Sequence, residues 1–301
     1  MKAEEYEDSV DRGEVSELDP DYAVLLDYLF ELVKARGRSS VPRNQRYKND
    51  AQLIAIKLCN HLHSIRLLSE GARYLFDDGS ETAIVDCSSV AVLVRGALET
   101  YLMFHYLFGS ADEEVNRFRH ACWGCCGLMT RQSYAANTKK TREQVEREKP
   151  ELDAVRAVIK THPEFQKYSA KQQAQLLQGN WDVKKEETSF LALAKSAGMD
   201  EKYFRDIYQY LSGFAHSSYE AVKQIQVALP DVNLQRRISH TVMEIATMVS
   251  AMLIEDLRRY FMIASDVKSN DRVEMILQLR NKTANRFLRE RWGKNHPDGL
   301  G

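Results

Sequence analysis

Glycine and proline are both scarce, with 14 and 6 residues in a chain of 301. Turn-rich all-β architectures depend on both, so the deficit argues against them and for long, uninterrupted helices. Net charge is nearly absent too: 42 basic side chains almost cancel 43 acidic ones, leaving −1, so bulk charge names no partner. A disulfide framework is missing, because Cys59, Cys87, Cys122, Cys125 and Cys126 are odd in number and unevenly spaced. A reducing cytoplasm is the expectation. The N-terminus MKAEEYEDSV lacks the basic-then-apolar pattern of a secretory signal. A phosphate-cradling glycine loop, an EF-hand loop and a G-x-S-x-G elbow are also absent.

What is there is apolar enough to fold. Hydrophobic residues make up 44% and charged residues 28%, which excludes disorder as the overall state and allows a sizeable core. The most apolar region, Ala83 to Phe108, is long enough to span a bilayer but carries Asp86, Arg95 and Glu99. On insertion scales an aspartate or arginine costs roughly 2.5–3.5 kcal/mol in lipid, so the region reads as a buried helix and no membrane is expected.

The chain divides by composition into an acidic arm at 1–21, a helical bundle at 22–265 and a basic helix and tail at 266–301. The arm holds nine acids against Lys2 and Arg12. Asp19-Pro20 offers a cap and a first-turn proline for a helix to about Arg36. The link 34–48 then carries six basic residues and no acid. Apolar periodicity predicts helices over about 49–76, 82–108, 112–137, 189–197, 200–216, 231–265 and 269–292. The stretch 139–185, polar and interrupted by Pro150 and Pro163, is expected to hold only short helices and to be an insertion. No alternation is long enough to predict a sheet. The expected fold class is all-α, a multi-helix bundle of long antiparallel helices.

Two helices could carry chemistry. In SSVAVLVRGALETYLMFHYLF, Arg95 and Glu99 stand four residues apart on one face of an oily rod, so they must be desolvated together. They read either as a buried ion pair that fixes helix register or as the wall of a wet cavity. In RDIYQYLSGFAHSSY, Tyr208, Ser212 and His216 step by four and share, with Arg205, an arc of about 80°. Arg205 and His216 are separated by about 16 Å along the axis, too far for direct contact. His216 reads as a capping histidine or a functional one.

These two helices resemble a bacterial family of all-helical proteins that is similar in turn to the HEPN superfamily, dimerising bundles that include RNA-cleaving toxins, phage-defence effectors and inactive relatives. The resemblance spans about residues 45–260. It implies metal-independent RNA cleavage without a cofactor, catalysed by Arg95, Glu99, Ser212 and His216 with Tyr208 and Arg205 in support. It further implies a homodimer, with RNA or a protein partner such as an antitoxin. One departure stands out. In HEPN nucleases an arginine precedes the histidine by four to six intervening residues, whereas here those positions hold Gln209, Tyr210 and Leu211. Helix packing would have to bring Arg95 to His216 instead. The alternative function is a non-catalytic scaffold or small-ligand receptor in which the same side chains form a structural network.

Other clusters carry less. Cys122, Cys125 and Cys126 fall within an arc of about 100° while His120 points away, so they read as buried packing residues rather than metal ligands. His61 and His63, about 200° apart, cannot chelate together. Arg36, Arg38, Arg43, Arg46 and Lys48 in the link, with Arg286 and Arg289 near the end, are candidate phosphate contacts. The chain is expected to be cytoplasmic.

Overall fold

The computed structural model describes residues 20–37, 47–261 and 267–283. The acidic arm up to Asp19, most of the basic link with Arg38, Arg43 and Arg46, and the tail with Arg286 and Arg289 lie outside the described residues.

Among the described residues twelve α-helices make the fold all-α. They are α1 (Pro20–Gly37), α2 (Lys48–Glu70), α3 (Cys87–Phe108), α4 (Glu113–Ser133), α5 (Lys139–Thr161), α6 (Ala170–Leu177), α7 (Lys185–Thr188), α8 (Phe190–Ser196), α9 (Glu201–Ala215), α10 (Tyr219–Ala228), α11 (Val232–Phe261) and α12 (Asp271–Thr283). One antiparallel hairpin interrupts them, β1 (Ala72–Leu75) paired with β2 (Glu81–Ile84) so that Tyr74 faces Thr82.

The hairpin corrects the expected helix boundaries. Gly71, at φ 86°, ends α2 six residues early, and Gly79, at φ 81°, closes the Asp77-Asp78-Gly79 turn. Phe76 N–H donates to Ser80 O at 2.8 Å across that turn. All four β1 residues are exposed, so neither face needed the alternation that marks a half-buried strand.

The chain forms two compact units, and among the described residues it passes between them inside α2, inside α3 and after Gly198. The first holds α1, residues 52–101 and the described residues from Met199 onward. Its core is built by Leu25, Leu29 and Leu32 of α1, Leu58, Leu62 and Ile65 of α2, Val94 and Leu98 of α3, and Ile245, Val249 and Leu253 of α11, all fully buried. Each such side chain contributes about 1.5–3 kcal/mol. Two tyrosines inside the core are paired: the Tyr22 hydroxyl donates to Leu62 O at 2.6 Å, and that of Tyr101 to Asp256 Oδ2 at 3.2 Å.

The second unit holds residues 47–51 and 102–198. Its core is Phe118, Cys122 and Cys125 of α4, Leu152 and Ile159 of α5, Phe165 and Leu176. Here the expectation of short broken helices fails, since α5 runs 23 residues straight through Pro150. An interior proline costs about 3 kcal/mol, and burial of Leu152 and Ile159 on the same helix offsets it.

Two helices, Cys87–Phe108 and Val232–Tyr260, are long and apolar enough by composition to cross a membrane, but 56% and 72% of their most apolar windows are buried within the protein. That is the placement of core helices.

Candidate functional site

Helix α9 is built to present one face. Asp200 caps it by accepting from Tyr203 N–H at 2.9 Å, and Tyr203, Phe204, Ile207, Leu211 and Phe214 turn inward. Tyr208 rides at the edge of this apolar stripe, stacked on Phe204 with ring centroids 5.2 Å apart. His216 is the C-cap, where the helix ends in a left-handed residue. Ser217, at φ 52°, donates its N–H to Phe214 O, and Ser218 N–H donates to Gly213 O at 2.9 Å. This pairing satisfies the last carbonyls and fixes the backbone on either side of the imidazole. Ser217 is the one non-glycine residue with positive φ among the described residues.

The side chains of α3 and α9 meet. Arg95 Nε donates to Glu99 Oε1 at 3.0 Å, Arg95 Nη2 donates to the Tyr208 hydroxyl at 3.2 Å, and that hydroxyl donates to Glu99 Oε1 at 2.8 Å. Arg95 Nη1 lies 3.1 Å from His216 Nε2. A guanidinium has donors only, so Nε2 must offer a lone pair and the neutral imidazole carries its proton on Nδ1. The Arg95 and Glu99 side chains keep 19% and 29% of their surface in solvent, whereas His216 is exposed. The anchor is sheltered and the imidazole is open.

Electrostatics hold Arg95 and Tyr208 each in one protonation state. Burial works against the Arg95 charge, but the Tyr208 hydroxyl and the Glu99 carboxylate outweigh it, so its pKa lies above the ordinary value. Burial and then the Glu99 hydrogen bond push the Tyr208 phenol upward, against the opposing pull of Arg95. The phenol therefore stays protonated while the guanidinium stays charged.

Two expected members stand apart. Ser212 donates its hydroxyl to Tyr208 O at 2.6 Å, the local back-bond that a serine four residues along a helix readily makes. Arg205 is exposed and pairs with Glu201 at 2.8 Å, one turn back on its own helix. Neither has a hydrogen bond to Arg95, Glu99 or His216 among those found in the described residues. Arg36 and Lys48, expected to face phosphates, point elsewhere. Arg36 is buried on the packed face of α1, and burial lowers its pKa. Lys48 pairs with Glu113 at 3.2 Å.

Sequence reasoning missed Phe204, Ser217 and the helix α10. The i,i+4 aromatic pair of Phe204 and Tyr208 was legible; the left-handed serine was not, since glycine is the usual signal there. In the second unit it also missed His120 Nε2 bonded to Asp50 Oδ2 at 2.8 Å. Among the described residues no group of three or more His, Cys, Asp or Glu side chains is arranged to hold a metal ion. Burial pushes the Cys122 thiol up to about 12.

No curated protein and no solved structure matches the chain. The helices that carry Arg95, Glu99, Tyr208 and His216 all fall inside residues 51–228, the span matched by the model of a family of unknown function, DUF5677, and the chain belongs to that family.

Proposed function

We propose that Arg95, Glu99, Tyr208 and His216 form a metal-independent RNA-cleaving centre, and that the chain is a HEPN-like RNA-directed effector or sensor of the kind used in phage defence or toxin–antitoxin systems. One observation carries the reading: Nε2 of the exposed His216 ring lies 3.1 Å from a guanidinium held on its other sides by a carboxylate and a phenol. The pair that the HEPN motif supplies within one helix is here supplied by two.

The chemistry follows from the donor pattern. A phosphodiester oxygen is a stronger acceptor for Arg95 Nη1 than a neutral imidazole, because the hydrogen bond is then assisted by charge on both sides. Its arrival releases the Nε2 lone pair of His216, which takes the proton of the ribose 2′-hydroxyl. The 2′-oxygen bonds phosphorus, the bond from phosphorus to the 5′-oxygen breaks, and water protonates the departing oxygen. Products are a 2′,3′-cyclic phosphate and a 5′-hydroxyl. Arg95 faces the charge that develops on phosphorus, and Glu99 with Tyr208 holds Arg95 in register.

The test is incubation of single-stranded RNA of mixed sequence with the purified chain in chelator, followed by end-group analysis. Wild type yields cyclic phosphate ends, and His216→Ala cuts about 10²- to 10⁴-fold more slowly. Equal cleavage by both proteins, or none by either, contradicts the proposal. The scaffold reading has one observation in its favour, the closed ring of bonds among Arg95, Glu99 and Tyr208. It requires that His216→Ala leave every RNA readout and cellular phenotype intact.

A further inference from the structure

Immediately after His216 the chain turns into α10, whose first residue is Tyr219. At 78% exposure Tyr219 has the most solvent-exposed large apolar side chain among the described residues. No hydrogen bond of its hydroxyl occurs within the described residues. The Lys223 ammonium, one turn on, lies 5.5 Å from the ring centroid and is anchored to Gln226 Oε1 at 2.8 Å. A ring held in water beside a cation contributes nothing to the core, whereas other aromatic side chains of this unit, such as Tyr22, Tyr101 and Phe204, are buried.

Position adds to this. Two residues, Ser217 and Ser218, separate Tyr219 from His216, so the two Cα atoms lie no more than about 11 Å apart. Ser218 fixes the start of α10 by accepting from Ala221 N–H at 3.2 Å, which makes the link between imidazole and ring a defined turn. A second aspect concerns charge. Exposed Glu220 and Lys223 sit three residues apart on α10 and nearly cancel, so α10 itself adds no net attraction for an anion beyond that of Arg95. An aromatic face with a neutral surround suits a flat, uncharged partner.

We propose that Tyr219, with Lys223 over its ring, is a nucleobase-stacking platform that seats the base next to the bond presented to His216, so that the centre acts on unpaired nucleotides. The platform rests on the RNA-cleaving reading for its ligand, but its affinity comes from the π-face and not from the imidazole. Stacking tolerates every base and requires an unstacked strand, so duplex RNA is excluded.

The experiment uses the whole chain and an oligonucleotide of about 12 nucleotides, 2′-O-methylated so that it cannot be cleaved. Binding is followed by fluorescence anisotropy, beside an abasic oligomer of equal length. Tyr219→Ala should weaken binding of the base-bearing strand about 5- to 150-fold, and equally so at low and high salt, while abasic binding stays unchanged. Tyr219→Phe should bind as wild type does. Because Tyr219 is exposed, neither variant threatens the fold. Equal affinity of wild type and Tyr219→Ala overturns the platform and leaves the cleavage centre standing if unmodified RNA is still cut. Tyr219-dependent binding without any cleavage of unmodified RNA supports the platform and overturns the cleavage centre. Neither binding nor cleavage overturns both.

Discussion

Helices α6 and α9 end in the same hydrogen-bonded motif, one in each unit, and use different residues for it. At the end of α6, Gly179 takes φ 82° and Asn180 N–H donates to Gln175 O at 3.0 Å. A Cβ there would stand 2.9 Å from Met129 Cβ and 3.3 Å from Cys126 Cα, so only glycine fits. At the end of α9, Ser217 holds the equivalent left-handed position in solvent. The surroundings diverge in step. Near Gly179, Cys122 and Cys125 are buried, and Arg156 Nε donates to Leu177 O at 2.9 Å. Beside Ser217 an imidazole stands open against a charged guanidinium. Both regions contain residue types that catalyse reactions elsewhere, but Cys122 and Cys125 are buried whereas the His216 ring is open to solvent.

Arg95→Ala strikes the open region hardest. It removes charged hydrogen bonds to Glu99, Tyr208 and His216 together, and urea unfolding should show a loss of about 2–3 kcal/mol. A loss below about 0.5 kcal/mol would mean that the cluster does not anchor α3 to α9. The two helix ends then give opposite signs. Gly179→Ala should cost about 1–3 kcal/mol, from the strained φ and the contact with Met129. Ser217→Gly should gain up to about 1 kcal/mol, since glycine adopts the left-handed region freely. Equal responses would erase the distinction between a packed end and an open one. The smallest effect concerns thiols. Burial pushes Cys59 and Cys122 up to about 12, so almost no thiolate exists near neutrality and the sign is toward inertness. With a disulfide reagent on the folded chain, partly exposed Cys126 should react while Cys59 and Cys122 do so only after unfolding.

Much of the fold was legible because it is written in helical periodicity. Leu58, Leu62 and Ile65 recur at the spacing that places them in the core, and Asp200 marks the start of α9 where the capping rule puts it. What stayed hidden depends on space rather than on order along the chain. The hairpin buries neither face, so it leaves no pattern. Helix α5 persists through Pro150 because of partners that lie on other segments. In the site, spacing alone put Tyr208, Ser212 and His216 on one side of a helix, but could not say that the serine hydroxyl would turn back onto its own backbone. Nor could it say which of two helices would deliver the arginine. The apolarity of α3 and α11 lies largely inside the protein.

The nitrogen chemistry of His216 tests the central claim most directly. In the nitrogen-15 spectrum of the labelled chain, with the signal assigned by its disappearance in His216→Ala, the neutral ring should carry its proton on Nδ1 and accept at Nε2. Inorganic phosphate should perturb Nε2 as it competes for Arg95, and Arg95→Ala should abolish that response. A neutral ring protonated on Nε2, or one whose spectrum is indifferent to Arg95, would contradict the arrangement on which the proposed chemistry depends.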